Sequence, residues 1–253
     1  MALYIIGLGL CNQFDVTLRG LDLISKSDVV YLEGYTSLLQ CSLADLEDKF
    51  GKKIIIANRE MSEQGEDKII EQAKSGNVAF LVIGDPFSAT THVEIFKSAK
   101  TSGVEVQVVN NASILNAIGI TGLQLYKFGK TTSIPFIEDH PNLVTPYNVI
   151  SSNQTLGMHT LCLLDLKPDL DRFMSVNEAL KILVSIEGRE GKGLISDDTF
   201  VVGCARLGCE DFVVKAGKLS DVIEFDFGKY PHCLIIPGKM HFIEEEMLDF
   251  YKN

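Results

Sequence analysis

Three short polar turns carry the residues best suited to holding a small polar ligand, and each follows an apolar run. Gly7-Leu8-Gly9-Leu10-Cys11-Asn12 puts two glycines where a backbone turns tightly or lets a ligand approach closely. The third glycine of a dinucleotide fingerprint is missing, because Asn12 stands there, and Glu33 is the nearest acid for a ribose contact. A phosphate-cradling site is therefore disfavoured, and a plain tight turn is an equal reading. Gly84-Asp85-Pro86 fixes a carboxylate on a rigid turn, where Asp85 could accept hydrogen bonds from ribose hydroxyls or an ammonium group. Ser88, Thr90 and Thr91 follow it and precede Val93-Glu94-Ile95-Phe96, so helix capping is the heavier reading for them. Asn110-Asn111-Ala112-Ser113-Ile114 is again a polar turn entering a helix with free backbone N–H groups, and capping again competes with binding.

Other reactive side chains are scattered. The histidines are His92, His140, His159, His232 and His241. His159 and Cys162 lie on opposite faces of a strand, which argues against a zinc pair, and no metal site is expected. His232 opens a strand after Pro231 and could face a cleft, although a surface position is commoner for histidine. No Gly-x-Ser-x-Gly elbow, His-Glu-x-x-His helix or Walker loop occurs. Glu66/Asp67 and Asp197/Asp198 read as solvated charges.

The turns need a scaffold, and the pattern supplies one. Strands are expected at 3–7, 29–32, 54–56, 78–83 and 104–109. Helices are expected between them at 17–25, 42–50, 64–75 and 90–100, with Thr17 as an N-cap and a capping-box start at Ser42 and Asp45. Strands apolar on both faces, alternating with helices, predict an open parallel sheet covered by helices, with ligands beyond the carboxyl ends of the strands. After a helix at 112–118 the texture changes. Residues 119–146 are rich in Gly, Thr, Ser and Pro, and the crossover between domains is placed at their start. Strands follow at 160–164, 200–205, 212–216 and 232–236, the middle two as a hairpin, with helices at 176–186, 219–223 and 242–251. The expectation is an α/β chain of two domains, residues 1–111 with a mostly parallel sheet and residues 112–253 with a mixed one.

Composition narrows the partners. The chain has 253 residues and a formal net charge of −11, which disfavours nucleic acid, anionic membranes and carboxylate-rich small molecules. A basic protein surface or a cationic group matches better. The apolar runs are far shorter than the roughly 20 residues a membrane helix needs. Residues 1–11 lack a positive n-region and a cleavage site, and read as the first strand of a mature protein. Cys11, Cys41, Cys162, Cys204, Cys209 and Cys233 form no Cys-x-x-Cys pair. Six free thiols in a reducing, cytoplasmic compartment are expected.

The wording of the turns is more specific than their chemistry. Tyr4-Ile5-Ile6-Gly7-Leu8-Gly9-Leu10, Tyr31-Leu32-Glu33-Gly34-Tyr35-Thr36-Ser37 and Gly84-Asp85-Pro86-Phe87 with Ala89-Thr90-Thr91-His92 occur in order. Asn111-Ala112-Ser113-Ile114, Gly122-Leu123-Gln124-Leu125-Tyr126-Lys127-Phe128-Gly129 and Gly157-Met158-His159-Thr160-Leu161-Cys162-Leu163-Leu164-Asp165 follow. Met174-Ser175-Val176-Asn177, Ala205-Arg206 and Pro237-Gly238 extend the set. Together they resemble the diphthine synthases, a branch of the tetrapyrrole methylase family, over essentially the whole chain. The run from His159 to Leu164 is most similar to the eukaryotic diphthine methyl ester synthase branch.

That resemblance implies two α/β domains with S-adenosylmethionine folded into the cleft between them, S-adenosylhomocysteine as product, and a homodimer. It implies elongation factor 2 as protein substrate. There the amine of a 3-amino-3-carboxypropyl-histidine takes three methyl groups, with a fourth on the carboxylate in the eukaryotic branch. Carried over by position, the implied cofactor contacts are Leu10, Asp85, Ser88, Ser113, Ile114, Leu164, Leu207 and His232; Ser88 departs from the glycine that relatives often have. No catalytic group is implied. Two other classes stay open: a methylase of precorrin or uroporphyrinogen type, which the acidic charge opposes, and a nucleotide-sensing module that transfers nothing.

Overall fold

The computed structural model describes residues 1–35, 37–57, 66–88 and 92–252. Thr36, Ala89, Thr90 and Thr91, and the expected helix starts at Gln64 and Thr90, lie outside them. The chain divides into two compact units, Met1–Ala117 and Ile118–Asn253. The sequence reading set the change at 111/112; in the structure the short helix after Ser113 stays with the first unit.

The first unit runs β1 (Ala2–Gly7), α1 (Leu18–Ser25), β2 (Val29–Glu33), α2 (Leu43–Phe50), β3 (Ile54–Ala57), α3 (Glu66–Ser75), β4 (Asn77–Val82), α4 (Val93–Thr101), β5 (Glu105–Val109) and α5 (Ile114–Ala117). Its five strands are ordered β3-β2-β4-β1-β5, and every pairing is parallel. β1 is buried along its whole length. Its side chains alternate between two cores, as the period of a strand requires. Tyr4 and Ile6 pack with Leu23, Ile24, Leu46 and Phe50 of α1 and α2, whereas Leu3 and Ile5 pack with Ile69, Ile70, Ile95 and Ala99 of α3 and α4. Each such aliphatic side chain contributes about 1.5–3 kcal/mol by leaving water. Local signals agree with this packing. The Thr17 hydroxyl accepts from Gly20 N–H at 3.0 Å, and Ser42 and Asp45 form the expected capping box. Gly51 ends α2 at φ 63°, where a side chain would strain the backbone.

The second unit holds β6 (Thr132–Ile134), α6 (Thr145–Thr155), β7 (Thr160–Leu164), β8 (Leu166–Lys167), β9 (Arg172–Phe173), α7 (Val176–Glu190), β10 (Phe200–Ala205), β11 (Val213–Lys218), α8 (Leu219–Val222), β12 (His232–Ile236) and α9 (Phe242–Asp249). Its sheet is ordered β11-β10-β12-β7-β6; β6 pairs parallel to β7 and the remaining pairs are antiparallel, so the sheet is mixed as expected. The stretch 119–146 is more than a crossover, because it supplies the edge strand β6 and the start of α6. Three residues are too few to show a period. α6 is mostly polar, yet it buries Tyr147, Val149, Ile150 and Asn153.

Two acids pin the loops of this unit. Glu187 accepts from the N–H groups of Gly193, Leu194 and Ile195 and from the Tyr147 hydroxyl. The Ile195 N–H leads the donors that hold its carboxyl down to about 2. Buried Glu244 accepts from Gln124 N–H, His241 N–H and the Lys127 ammonium. It also faces His159 Nε2 at 3.0 Å, while Gly238 N–H donates to His159 Nδ1, so the ring carries its proton on Nε2. Burial pushes the Glu244 carboxyl up, but its donors, led by Lys127, outweigh this and bring it to about 2.

Cys41, Cys162, Cys204 and Cys233 are free thiols, so the expectation of six free thiols is met at four of the positions. Among the described residues no helix is long and apolar enough to cross a membrane.

Candidate functional site

In the first unit the three polar turns meet at the carboxyl ends of adjacent strands. β1 and β4 pair as far as Gly7 and Val82. Beyond them Gly84 N–H donates to Gly9 O at 2.7 Å and Gly9 N–H to Gly84 O at 3.3 Å. Both glycines sit at positive φ, 80° and 84°. A Cβ on Gly7 would lie 2.6 Å from Gly84 O, so that position too is closed to side chains. The first turn is thus the tight-turn alternative, bridged to the second.

Asp85 joins the second turn to the third. Its Oδ1 accepts from Phe87 N–H and the Ser88 hydroxyl, both at 3.0 Å; its Oδ2 accepts from Asn110 Nδ2 at 2.9 Å and Asn111 N–H at 3.2 Å. Burial raises its carboxyl, but these donors outweigh burial and leave the pKa below the ordinary value. A carboxylate offers about four acceptor sites, and all four are taken by the protein. Ser88 therefore serves Asp85 and does not cap α4, whose N-cap is His92 without a side-chain cap bond. That corrects the capping expectation at Ser88. At the third turn capping is what the structure shows, because Ser113 Oγ accepts from Leu115 N–H at 3.2 Å, just ahead of Ile114.

Asp15, unmarked by sequence reasoning, and Asn111 of the third turn complete this edge. Asp15 Oδ2 accepts from Leu10 N–H at 3.2 Å and Cys11 N–H at 2.6 Å. Asn111 Nδ2 donates to Gly7 O and Asp15 O. Leu10, Asp85, Ser88, Ser113 and Ile114 are thus gathered on one polar edge. Glu33 is not a surface ribose ligand: it is fully buried and accepts from Tyr35 N–H at 2.9 Å.

The second unit has its own polar edge. Ala205 stands opposite His232 and Leu163 opposite Cys233, so Leu164, Leu207 and His232 fall at the same end of neighbouring strands. Buried Arg206 organises it at φ 51°. Its guanidinium donates to Asp211 Oδ2 at 3.0 Å, Asp211 O at 2.7 Å, Lys229 O at 2.6 Å and Phe227 O at 3.3 Å. Its N–H donates to Pro231 O at 2.9 Å. The only sequence signal for this role was the Ala205-Arg206 wording.

His232 lies beneath these loops, its ring 4.5 Å from that of Tyr230, which in turn packs against Phe173. Nε2 lies 3.0 Å from Lys229 O and so carries the proton, while Nδ1 is a buried acceptor with no partner among the described residues. Burial is the main cause of its lowered pKa, so the ring is neutral near pH 7.

Comparison with known proteins places the chain in a family. Residues 2–223 match the family model described as Tetrapyrrole (Corrin/Porphyrin) Methylases. The chain is 47% identical to the "Probable diphthine methyl ester synthase" of Arabidopsis thaliana, over 99% of this chain and 98% of that protein. It is also 47% identical to the diphthine synthase of Methanocaldococcus jannaschii, over 98% of each. A solved structure of a diphthine synthase superposes with a TM-score of 0.91 at 36% identity, covering 100% of this chain and 96% of that one.

The chain belongs to the diphthine synthases of the tetrapyrrole methylase family. It is an S-adenosylmethionine-dependent methyltransferase. The residues present fit the cofactor. His232 Nδ1, without a partner among the described residues, is an acceptor for a hydroxyl or amino donor of an adenosine.

Proposed function

We propose that this chain carries methyl groups from S-adenosylmethionine to the amine of a 3-amino-3-carboxypropyl-histidine on elongation factor 2. Three transfers give a trimethylammonium, a fourth esterifies the carboxylate, and S-adenosylhomocysteine leaves each time. The observation that carries this is the near-full-length likeness to diphthine synthases. The cofactor contacts proposed are Leu10, Asp85, Ser88, Ser113 and Ile114 in the first unit and Leu164, Leu207 and His232 in the second. Asp85 contributes by holding the turn that presents Phe87 and Ser88, since its carboxylate is already saturated. The working form is a cytoplasmic homodimer that engages neither nucleic acid nor membrane.

When bound, the cofactor supplies an electrophilic methyl group. The protein must align an amine with it, which is the main source of acceleration in such a displacement. It must also keep the amine neutral, because an ammonium has no lone pair. Amines of this kind titrate between about 8 and 10, so neutrality at pH 7 costs on the order of 1–4 kcal/mol. The net charge of −11 suits a cationic product and disfavours a carboxylate-rich ring as substrate.

Mass spectrometry of precursor-bearing elongation factor 2 after incubation with cofactor tests the proposal. Four added methyls are expected. Three would place the chain with enzymes that stop at the trimethylammonium, and none would sink the reading.

A further inference from the structure

A broad apolar surface of the second unit is built from two segments fastened side by side. Ile243 and Met247 of α9 and Phe250 just beyond it are spaced i, i+4, i+7, and so share one face of the helix. Beside them lie Ile120, Leu125 and Tyr126. The six residues are 36% to 81% exposed, whereas Glu244 and Leu248 turn the other side of α9 into the unit and are fully buried. The fastening is close. A Cβ on Gly122 would lie 2.3 Å from Met247 Cβ, the Tyr251 hydroxyl donates to Ile120 O at 2.9 Å, and Gln124 N–H donates to Glu244 Oε1 at 2.9 Å. The surface is therefore in place before anything covers it.

Its size and charge indicate what covers it. With large side chains spanning on the order of 200 Å² each, the six present roughly 600–700 Å² at these exposures. A monomer rarely leaves a contiguous apolar patch larger than a few hundred Å² in water, and a standard interface takes about 800 Å² from each partner. No charged residue occurs from 118 to 126, and the Lys127 ammonium is taken up by Glu244. The exposed acids of α9, Glu245, Glu246 and Asp249, fall on the neighbouring face of the helix. Two copies that each carry −11 repel one another, so they meet at least cost where charge is absent.

We propose that this face pairs with the same face of a second copy across a two-fold axis. The proposal rests on the homodimer stated above and gives it an interface. Pairing across a two-fold axis brings one patch against itself, so each copy covers the other's apolar surface. An uncharged apolar face also suits a permanent interface, which is more hydrophobic than one that releases its partner. The protein substrate has to leave after methylation and is the poorer occupant.

Sedimentation equilibrium of the full chain over a range of concentrations tests this, with Phe250→Glu and Tyr126→Glu as variants and Leu18→Glu as control. Phe250 and Tyr126 are 79% and 81% exposed, so the fold of one copy tolerates a carboxylate at either place. Leu18 is exposed on α1 of the first unit, away from both segments in the chain. Wild type and Leu18→Glu are expected to form dimers of equal affinity. Each patch variant should raise the dimer Kd by about 100-fold or more, because symmetry brings two unpaired carboxylates into the contact. If thermal melting shows one patch variant unfolded, the other carries the test from a different segment. Patch variants that dimerise as tightly as wild type overturn the proposal and leave the homodimer standing. A wild-type chain that is monomeric throughout overturns both. Normal dimers with a raised KM for the protein substrate and unchanged kcat assign the face to that substrate instead, and also overturn the proposal.

Discussion

Asp85 in the first unit and Arg206 in the second hold loops with opposite charges. Asp85 collects four donors from two turns, whereas Arg206 gives four side-chain hydrogen bonds to acceptors in two loops. They differ in what bears the unusual backbone. On the first edge the left-handed residues are Gly9 and Gly84, which adopt that region freely. On the second edge Arg206 itself is left-handed, a conformation that costs a side-chain-bearing residue about 1–2 kcal/mol. The first edge is relaxed by its composition, and the second is held in place by its hydrogen bonds. In both, the conspicuous charge organises loops, which leaves backbone groups and single nitrogens such as His232 Nδ1 to meet a ligand.

The largest effect should come from the strained edge. Arg206→Ala strips the donors from buried carbonyls and keeps the left-handed strain, for an expected loss of about 3–5 kcal/mol in urea unfolding. Arg206→Gly should lose about 1 kcal/mol less, because glycine relieves the backbone even as the same hydrogen bonds vanish. Equal losses for the two variants would show that the backbone at 206 stores no strain, and the contrast with the glycine edge would collapse.

On the relaxed edge Asp85→Ala leaves four donors without their acceptor, two of them backbone N–H groups, for about 2–3 kcal/mol. It should also weaken S-adenosylmethionine binding in calorimetry while the fold survives. Unchanged affinity would remove Asp85 from the proposed site. Gly84→Ala should cost less, about 1–2 kcal/mol, since Gly84 has open space for a Cβ and only its φ of 84° objects. A neutral Gly84→Ala would mean that the Gly9–Gly84 bridge does not hold the turn in that conformation.

Legibility followed the same divide. The first unit was readable because its strands are apolar on both faces and its helices announce themselves through Thr17 and the Ser42/Asp45 box. Its turns were found as polar clusters at strand ends, but the direction of their bonds was not, since nothing local tells Asp85 that Asn110, in the turn after β5, comes within reach across β1. The Ser88 cap was misjudged because a hydroxyl near a helix start can turn back instead to a carboxylate three residues before it. In the second unit β6 and α6 escaped notice because three residues and a polar helix carry little periodicity. Arg206 escaped because its acceptors, Phe227 O and Lys229 O, lie more than twenty residues away.

Acid offers the finest separation of the two edges. His232 has a folded pKa lowered from 6.5, so its contribution to stability is complete above about 6.5 and is lost as pH falls from there through the folded value. Asp85 has a folded pKa lowered from 3.8, so its contribution is present above about 3.8 and is lost only below that. Between about pH 6.5 and 4 the loop at 227–231 should therefore loosen while the turn at 85–88 holds. Global unfolding cannot resolve this, because His92 and His159 also have lowered pKa values and titrate in the same window. Site-resolved amide exchange can. Exchange at Gly228 and Lys229 should quicken as pH falls through that range, after correction for intrinsic rates, while Phe87 and Ser88 stay protected. Loops that loosen together would mean that protonation of His232 is not what opens the second edge. Replacement of His232 by Asn should then leave the low-pH exchange at Gly228 unchanged; if instead it abolishes the quickening, the difference between the edges is the titration of that one ring.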